Sequence, residues 1–572
     1  MREKVTSSRV RVGLGSPSGL RPSVPALLGL LALGVVLLVH LRSWSFVCDD
    51  AFISFRYARN LGEHGALVYN LDPLEKVEGY TNPLWVVILA LGVLFGLAPE
   101  QLAPLLTGAA SLIGLGLSAA IAAELRRLGA AIDEPTPAPM SRFEPIDLLA
   151  PALLVLVPEY VVWASSGLET SVALALGLAS VYAWLRGRIV LAALLAALTG
   201  LTRLDGLLWL GSFGLAWLGF VGVARRDRWT LRELPWARVG LGLAVFVGLL
   251  GAALLLRHAY YGQWLPNTWA IKQHGALLRD TYGVAYLRFW FDRLGLIAAL
   301  PLLALIGPRH VLVLVPLAAQ LIWAWSIGGD FMAYGRFLLP ATLLVALAIG
   351  LSFARLDELL RARIGDRGRI AIVGLLASLP LLGLTWRIPA RIADDREHPH
   401  LHVDADDDRS PGFEGVLAMD RFARVRLVAG AALRERVPAD TWISVGAAGA
   451  LPYASGLPAF DAYGLVDPSV LEHAEPATGP RARPGHQLHA SLSRVLAREP
   501  DLMCHIGWEA PRPPTLRDAQ RRAGPGWAWA CVETGPIADP LGETGTLDSR
   551  WYCCLRPSDR FIELDPRPGV TR

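Results

Sequence analysis

The sequence has 572 residues, 53% hydrophobic and 18% charged, with a mean hydropathy of +0.41, too apolar for a water-soluble protein and too long for one simple bundle. The 54 basic residues nearly balance 50 acidic ones and leave a formal charge of +4, so no overall excess of positive charge points to nucleic acid. Cys48, Cys504, Cys531, Cys553 and Cys554 lack the paired spacing of a zinc or redox motif, while a bridge such as Cys504 to Cys531 is compatible with an oxidising compartment.

Arg2, Lys4, Arg9, Arg11 and Arg21 precede an apolar run from Val24 to His40. This is the layout of a signal peptide without a small-residue cleavage site, so a retained anchor with its N-terminus inside is expected. Apolar stretches follow near 83–99, 103–124, 147–164, 170–186, 189–203, 206–222, 238–256, 292–307, 310–328, 337–353 and 369–386. Each approaches the ~20 residues that cross a hydrocarbon core.

Arg126 with Arg127, Arg186 with Arg188, Arg225 to Arg228, Arg309, and Arg361 to Arg369 fall in alternate loops, which the positive-inside rule assigns to the cytoplasm. The loops with Glu169, Arg203 and Asp205, Tyr260 to Lys272, Asp330, and everything after Arg387 then lie outside. An inside start and an outside end require an odd number of crossings. About eleven spanning helices are therefore expected, with 83–99 re-entrant or interfacial.

The predicted fold is mostly α: a polytopic membrane helix bundle with a C-terminal periplasmic α/β domain. Its boundaries are a cytoplasmic tail 1–23, a membrane module 24–387 with an outer loop 42–82, and a soluble domain 388–572 entered through the Asp- and His-rich linker from Asp394 to Arg409. Within that domain 420–436 has helical periodicity, and 441–445 and 502–507 read as short strands.

The densest polar segment is the outer loop CDDAFISFRYARNLGEHGALVYN, followed by EKVEGYTNPLW. Asp49 and Asp50 adjoin, so their repulsion raises one apparent pKa or favours a cation, which suits a general base or a metal ligand. The same carboxylates equally suit a cap for a helix over 51–61. Arg56, Glu78, Tyr80 and Asn82 concentrate in the same loop. Glu169, Arg203, Asp205, Lys272, Asp330 and Arg336 stand at outer ends of apolar segments, where they form a site for a developing anion, structural pairs, or snorkelling contacts. Asn267 and Lys272 are the donor-site candidates of an otherwise belt-like aromatic loop, 257–275. The VGAAGA stretch near Asp461, Asp467, Arg483 and His486 has only weak likeness to a phosphate-binding turn.

The series DDAFISFRYARNL, VEGYTNPLW, SSGLET, LTRLDG and GGDFMAYGRFLLP, extended by VGAAGALPYASGLPAFDAYGLVDP and RPGH, resembles the GT-C class of membrane glycosyltransferases. It looks most like the mycobacterial terminal β-1,2-arabinofuranosyltransferase family, over about residues 45–490. The resemblance implies a bacterial inner-membrane enzyme that transfers a sugar, arabinofuranose in that family, from a polyprenyl (decaprenyl) phosphate carrier in the lipid bilayer to a cell-surface glycan acceptor, with inversion and without nucleic acid. It implies that Asp49 and Asp50 hold the catalytic base, and beside them Arg56, Glu78, Tyr80, Asn82, Glu169, Arg203, Asp205, Asn267, Lys272, Asp330, Arg336 and His486 are the candidates for contact with substrates. No cofactor follows. A divalent metal at the two aspartates stays open, since spacing identifies no third oxygen ligand. The alternatives are a hexose or aminoarabinose donor, or a transporter of lipid-linked glycans, which would place charges nearer the bilayer midplane.

Overall fold

A computed structural model describes residues 21–133, 142–224, 235–272, 279–298, 307–361, 363–398, 400–402, 412–476, 484–535 and 550–558. Most of the basic tail, Arg225 to Arg228, half of 292–307, part of the linker, and Arg483 fall outside these residues. The fold is mostly helical, as expected.

Leu, Ala and Val dominate segments with no polar stripe, the composition of helices apolar on every side. In chain order the membrane module contains α1 (Val24–Arg42), α2 (Ala51–His64), α3 (Pro83–Leu94), α4 (Pro99–Asp133), α5 (Leu149–Leu154), α6 (Pro158–Val161), α7 (Thr170–Leu185), α8 (Ile189–Thr202), α9 (Gly206–Ala224) and α10 (Trp236–Tyr261). It continues with α11 (Asn267–Lys272), α12 (Val284–Leu294), α13 (Val311–Ser326), α14 (Leu339–Arg361) and α15 (Asp366–Glu397). Among the described residues six helical stretches are long and apolar enough to cross a bilayer: those of α1, α4, α10, α14 and α15, and α13 taken with the turn from Pro308. The stretches 145–154 and 158–164 form a pair bent by 78°, with Pro158 opening the second arm. Helix α3 has 12 residues, about 18 Å at 1.5 Å per residue, short of a hydrocarbon core.

The charges separate to the two ends of the bundle. At one end Arg126 pairs with Asp147 at 2.9 Å, Arg186 with Glu124 at 2.9 Å, and Arg309 with Glu358 at 2.9 Å. At the other, Glu169 opens α7 and Arg203 closes α8. Helix α7 has 16 residues, so Glu169 and Arg186 stand about 24 Å apart.

After α15 the chain forms an α/β region, with α16 (Val416–Arg436), α17 (Ala450–Ser455), α18 (Leu492–Ala497) and α19 (Leu516–Ala523). Its sheet contains β1 (Ile443–Val445), β2 (Ala459–Asp461), β3 (Leu502–Ala510), β4 (Trp527–Gly535) and β5 (Arg550–Pro557), ordered β4-β5-β3-β1-β2. Strands β4, β5 and β3 pair antiparallel, whereas β1 pairs parallel with both β3 and β2. The antiparallel register sets Cys531 opposite Cys553. The disulfides are Cys531–Cys553 and Cys504–Cys554, so the cysteines do bridge, but not in the Cys504 to Cys531 pairing that the sequence also allowed. Cys48 is buried and free.

Candidate active site

Asp49 and Asp50 end the link between α1 and α2, and the structure gives them different surroundings. Asp50 is the N-cap residue of α2, yet its side chain makes no cap hydrogen bond, so the capping role does not account for it. Among the described residues its carboxylate has no hydrogen-bond or ion-pair partner. Burial pushes its pKa up, and the charges acting on it are Lys272 and Arg336, which oppose the rise, then Asp330 and Glu169, which add to it. The Asp49 carboxylate instead accepts the Ala450 N–H at 3.0 Å, at the start of α17. Burial pushes Asp49 up to about 6, with Arg426 opposing.

The residues acting on Asp50 come from three further segments, the end of α11, the 330–336 loop and the start of α7. Glu169 accepts Arg203 Nη1 at 3.0 Å and Asn82 Nδ2 at 2.7 Å. Arg203 also holds Asp205, at 3.1 and 3.0 Å. Arg336 Nε donates to Asp330 Oδ2 at 2.9 Å, and the Arg203 and Arg336 guanidinium groups lie 5.5 and 5.0 Å from the Phe337 ring. Gly328, Gly329, Tyr334 and Gly335 all adopt left-handed backbone conformations in this loop. At Gly329 a Cβ would stand 2.5 Å from the Tyr286 ring, so glycine satisfies both the φ and the approach. Arg203, Asp205, Trp209 and Arg336 line one cleft with Thr170 and Leu339.

Lys272 ends α11 with its side chain exposed, while protein surrounds it at longer range. That surrounding lowers its pKa, opposed by Asp50 and Asp330. Among the described residues it has no hydrogen-bond or ion-pair partner. His486 reaches the same region, with its ring centroid 5.0 Å from that of Phe331 and 4.8 Å from that of Tyr463. Gly485 approaches Lys272 Cε, which would lie 3.7 Å from a Cβ built there.

Asp50, Asn82, Glu169, Arg203, Asp205, Lys272, Asp330 and Arg336 thus form one connected group. Four other sequence candidates serve the protein's own packing. Arg56 is saturated by the carbonyls of Tyr69, Pro452 and Leu457 and by Asn70. Glu78 pairs with Arg257 at 2.6 Å, Tyr80 bonds Tyr261 at 3.2 Å, and the Asn267 amide donates to the Gly464 and Leu465 carbonyls. A loop position alone cannot distinguish a side chain that faces substrate from one that ties two segments together. The VGAAGA turn offers no vacant phosphate nest at Ala450, because Asp49 takes that N–H. Sequence reading missed Arg257, whose only signal is a charge near the end of a long apolar helix. It also missed the buried pair Arg391–Glu159, at 3.3 Å.

Among the described residues no group of three or more His, Cys, Asp or Glu side chains is arranged to hold a metal ion. The two aspartates answer to different charges and form no chelating pair. The residues therefore do not fit the metal left open by the sequence, and no step below runs through one.

The fold is similar to that of a solved protein, ArnT. The crystal structure of ArnT from Cupriavidus metallidurans in the apo state aligns with a TM-score of 0.52 at 14% identity, covering 93% of this chain and 98% of that one. The structure of the same protein bound to undecaprenyl phosphate aligns at 0.51 and 16% identity with the same coverage. Residues 418–537 match a family model described as a domain of unknown function, DUF8728. No curated protein matches the chain in sequence.

Proposed function

We propose that the protein is a polyprenyl-phosphate-sugar-dependent glycosyltransferase and that Asp50 is its general base. The observation that carries this reading is the Asp50 carboxylate at the start of α2, which makes no cap hydrogen bond, has no partner among the described residues, and lies in the combined field of Lys272, Arg336, Asp330 and Glu169. Glycosyl transfer from a lipid phosphate needs both halves of that arrangement. The acceptor hydroxyl attacks the anomeric carbon as Asp50 takes its proton. The bond from that carbon to the phosphate oxygen breaks, its electron pair stays on the lipid phosphate, and Lys272 and Arg336 stabilise the charge. Attack opposite the leaving group inverts the anomeric centre.

Two further features support the setting. The disulfides Cys504–Cys554 and Cys531–Cys553 suit an oxidising compartment and so support an α/β region outside the cytoplasm. The ion pairs of Arg126, Arg186 and Arg309 lie at the opposite end of the bundle, where the positive-inside rule puts the cytoplasm. The motif series favours arabinofuranose as the sugar. The second donor reading is aminoarabinose on the same class of lipid, favoured by the fold similarity to ArnT over nearly the whole chain.

Transfer of labelled sugar by purified protein, from decaprenyl phosphoryl arabinose to a short arabinan and in parallel from undecaprenyl phosphoryl aminoarabinose, tests the reading. Turnover with either donor, abolished by Asp50→Asn, supports it and selects the sugar. No turnover with any polyprenyl phosphate sugar overturns it.

A further inference from the structure

The domain of unknown function at 418–537 contains a short stretch that the first outer loop grips along its whole length. Tyr69 Oη donates to the Ala448 carbonyl at 2.6 Å. Ala450 N donates to Asp49 at 3.0 Å. Arg56 donates to the Pro452 carbonyl at 2.6 Å and the Leu457 carbonyl at 2.8 Å, and Arg59 to the Tyr453 carbonyl at 3.2 Å. Asn70 closes the series, its amide nitrogen donating to the Ala459 carbonyl and its oxygen accepting the Ala459 N–H, both at 3.0 Å. The Arg59 guanidinium also stacks 3.6 Å from the Tyr453 ring centroid.

Gly449 stands at the tightest point. A Cβ built there would collide with both the backbone oxygen and the carboxylate Oδ2 of Asp49, and contacts that close are relieved only by moving one of the two chains. Asp50 is the next residue, so any displacement of Asp49 is carried into the carboxylate on which the charges of Lys272 and Arg336 act. Helix α2 is not free to absorb the shift, because Phe52, Phe55 and Tyr57 are buried and Arg56 is locked to the same stretch.

We propose that residues 448–459, with Gly449 at their centre, position the general base, so that this domain completes the active site from outside the membrane module. The inference rests on the glycosyl-transfer reading and assigns a role to a domain described as of unknown function. Asp49 is then a positioning residue. It aligns its neighbour through the Ala450 N–H and takes no proton from the acceptor.

The test uses the full-length protein. Gly449→Ala is expected to lower kcat by about 10- to 100-fold, the scale of an ångström's misplacement, with the donor KM within about twofold of wild type. Asp49→Ala should show the same split, and Asp49→Asn, which keeps an oxygen to accept the Ala450 N–H, should recover most of the loss, whereas Asp50→Asn recovers none. Unchanged kcat in Gly449→Ala overturns the proposal, as does an Asp49→Asn variant as inactive as Asp50→Asn.

Backbone hydrogen exchange across 49–60 reads the coupling without turnover. Faster exchange there in Gly449→Ala, with exchange in α14 unaltered, supports positioning. Unaltered exchange across 49–60 overturns it. Loss of protection throughout the chain would mark misfolding, and Asp49→Asn beside Asp49→Ala then decides the question in place of Gly449→Ala. If wild type turns over no polyprenyl phosphate sugar, the transfer reading has failed, and the exchange measurement still decides whether residues 448–459 hold the aspartate loop.

Discussion

Asn82 Nδ2 donates to Glu169 Oε2 at 2.7 Å, joining the EGYTN loop to the SSGLET turn. The same amide meets Ser54 Oγ at 3.1 Å, so one side chain ties α2, α3 and the start of α7 together. Glu169 in turn holds Arg203. Asn82→Leu would leave a buried carboxylate oxygen without its donor, at a cost of about 1–3 kcal/mol, and release the orientation of Arg203. The expected outcome is a loss of at least tenfold in kcat/KM. A variant within twofold of wild type in the sugar-transfer assay would remove Asn82 from the site.

Arg336 and Asp330 lie six residues apart across a loop with several left-handed residues, and both are buried. Removing one partner of a buried pair strands the other charge, typically at 3–5 kcal/mol. Arg336→Gln should raise the donor KM and lower kcat, since it removes a cation proposed to meet the leaving phosphate. It should also lower the thermal midpoint. Arg336→Lys keeps the charge without the planar fork and is expected to recover stability more than rate. Equal recovery of both would make the residue structural only.

The pH dependence follows from Asp50. The base must be ionised, and burial holds its pKa above the ordinary carboxylate range. Activity should therefore fall as pH falls, with a midpoint in kcat/KM above that of an ordinary aspartate. Lys272→Met removes the charge that most opposes the rise, so the midpoint should move to higher pH in that variant. A profile flat from pH 4 to 8 in wild type would remove Asp50 as the base.

Composition and periodicity showed the membrane class, the charge asymmetry of the loops, and α16, β1 and β3 to within a few residues, because each rests on local hydrophobic pattern. The motif series pointed to the residues around Asp50, since charges at the outer ends of apolar segments are few. It could not separate Asp50 from Asp49, or Arg336 from Arg56. Those distinctions depend on what faces each side chain from segments hundreds of residues away, as Pro452 and Leu457 do for Arg56. Disulfide pairing was illegible for the same reason, because the register of β4 on β5 decides it.

His505 lies in β3, where its Nδ1 meets Ser444 Oγ at 2.8 Å. Burial, reinforced by Arg522 and His489, pushes its pKa from 6.5 down to about 4. A histidine with a lowered folded pKa binds fewer protons in the native state than in the unfolded one, so stability falls as pH drops. The contribution is fully present above 6.5, erodes below it, and is gone near 4. The thermal midpoint of the α/β region should fall across that window, beyond the loss shown by His505→Gln, which cannot titrate. Carboxylates titrate in the same range, so the difference between wild type and variant is the quantity to measure. Parallel curves for the two proteins between pH 7.5 and 4.5 would show that the fold does not lower the pKa of His505.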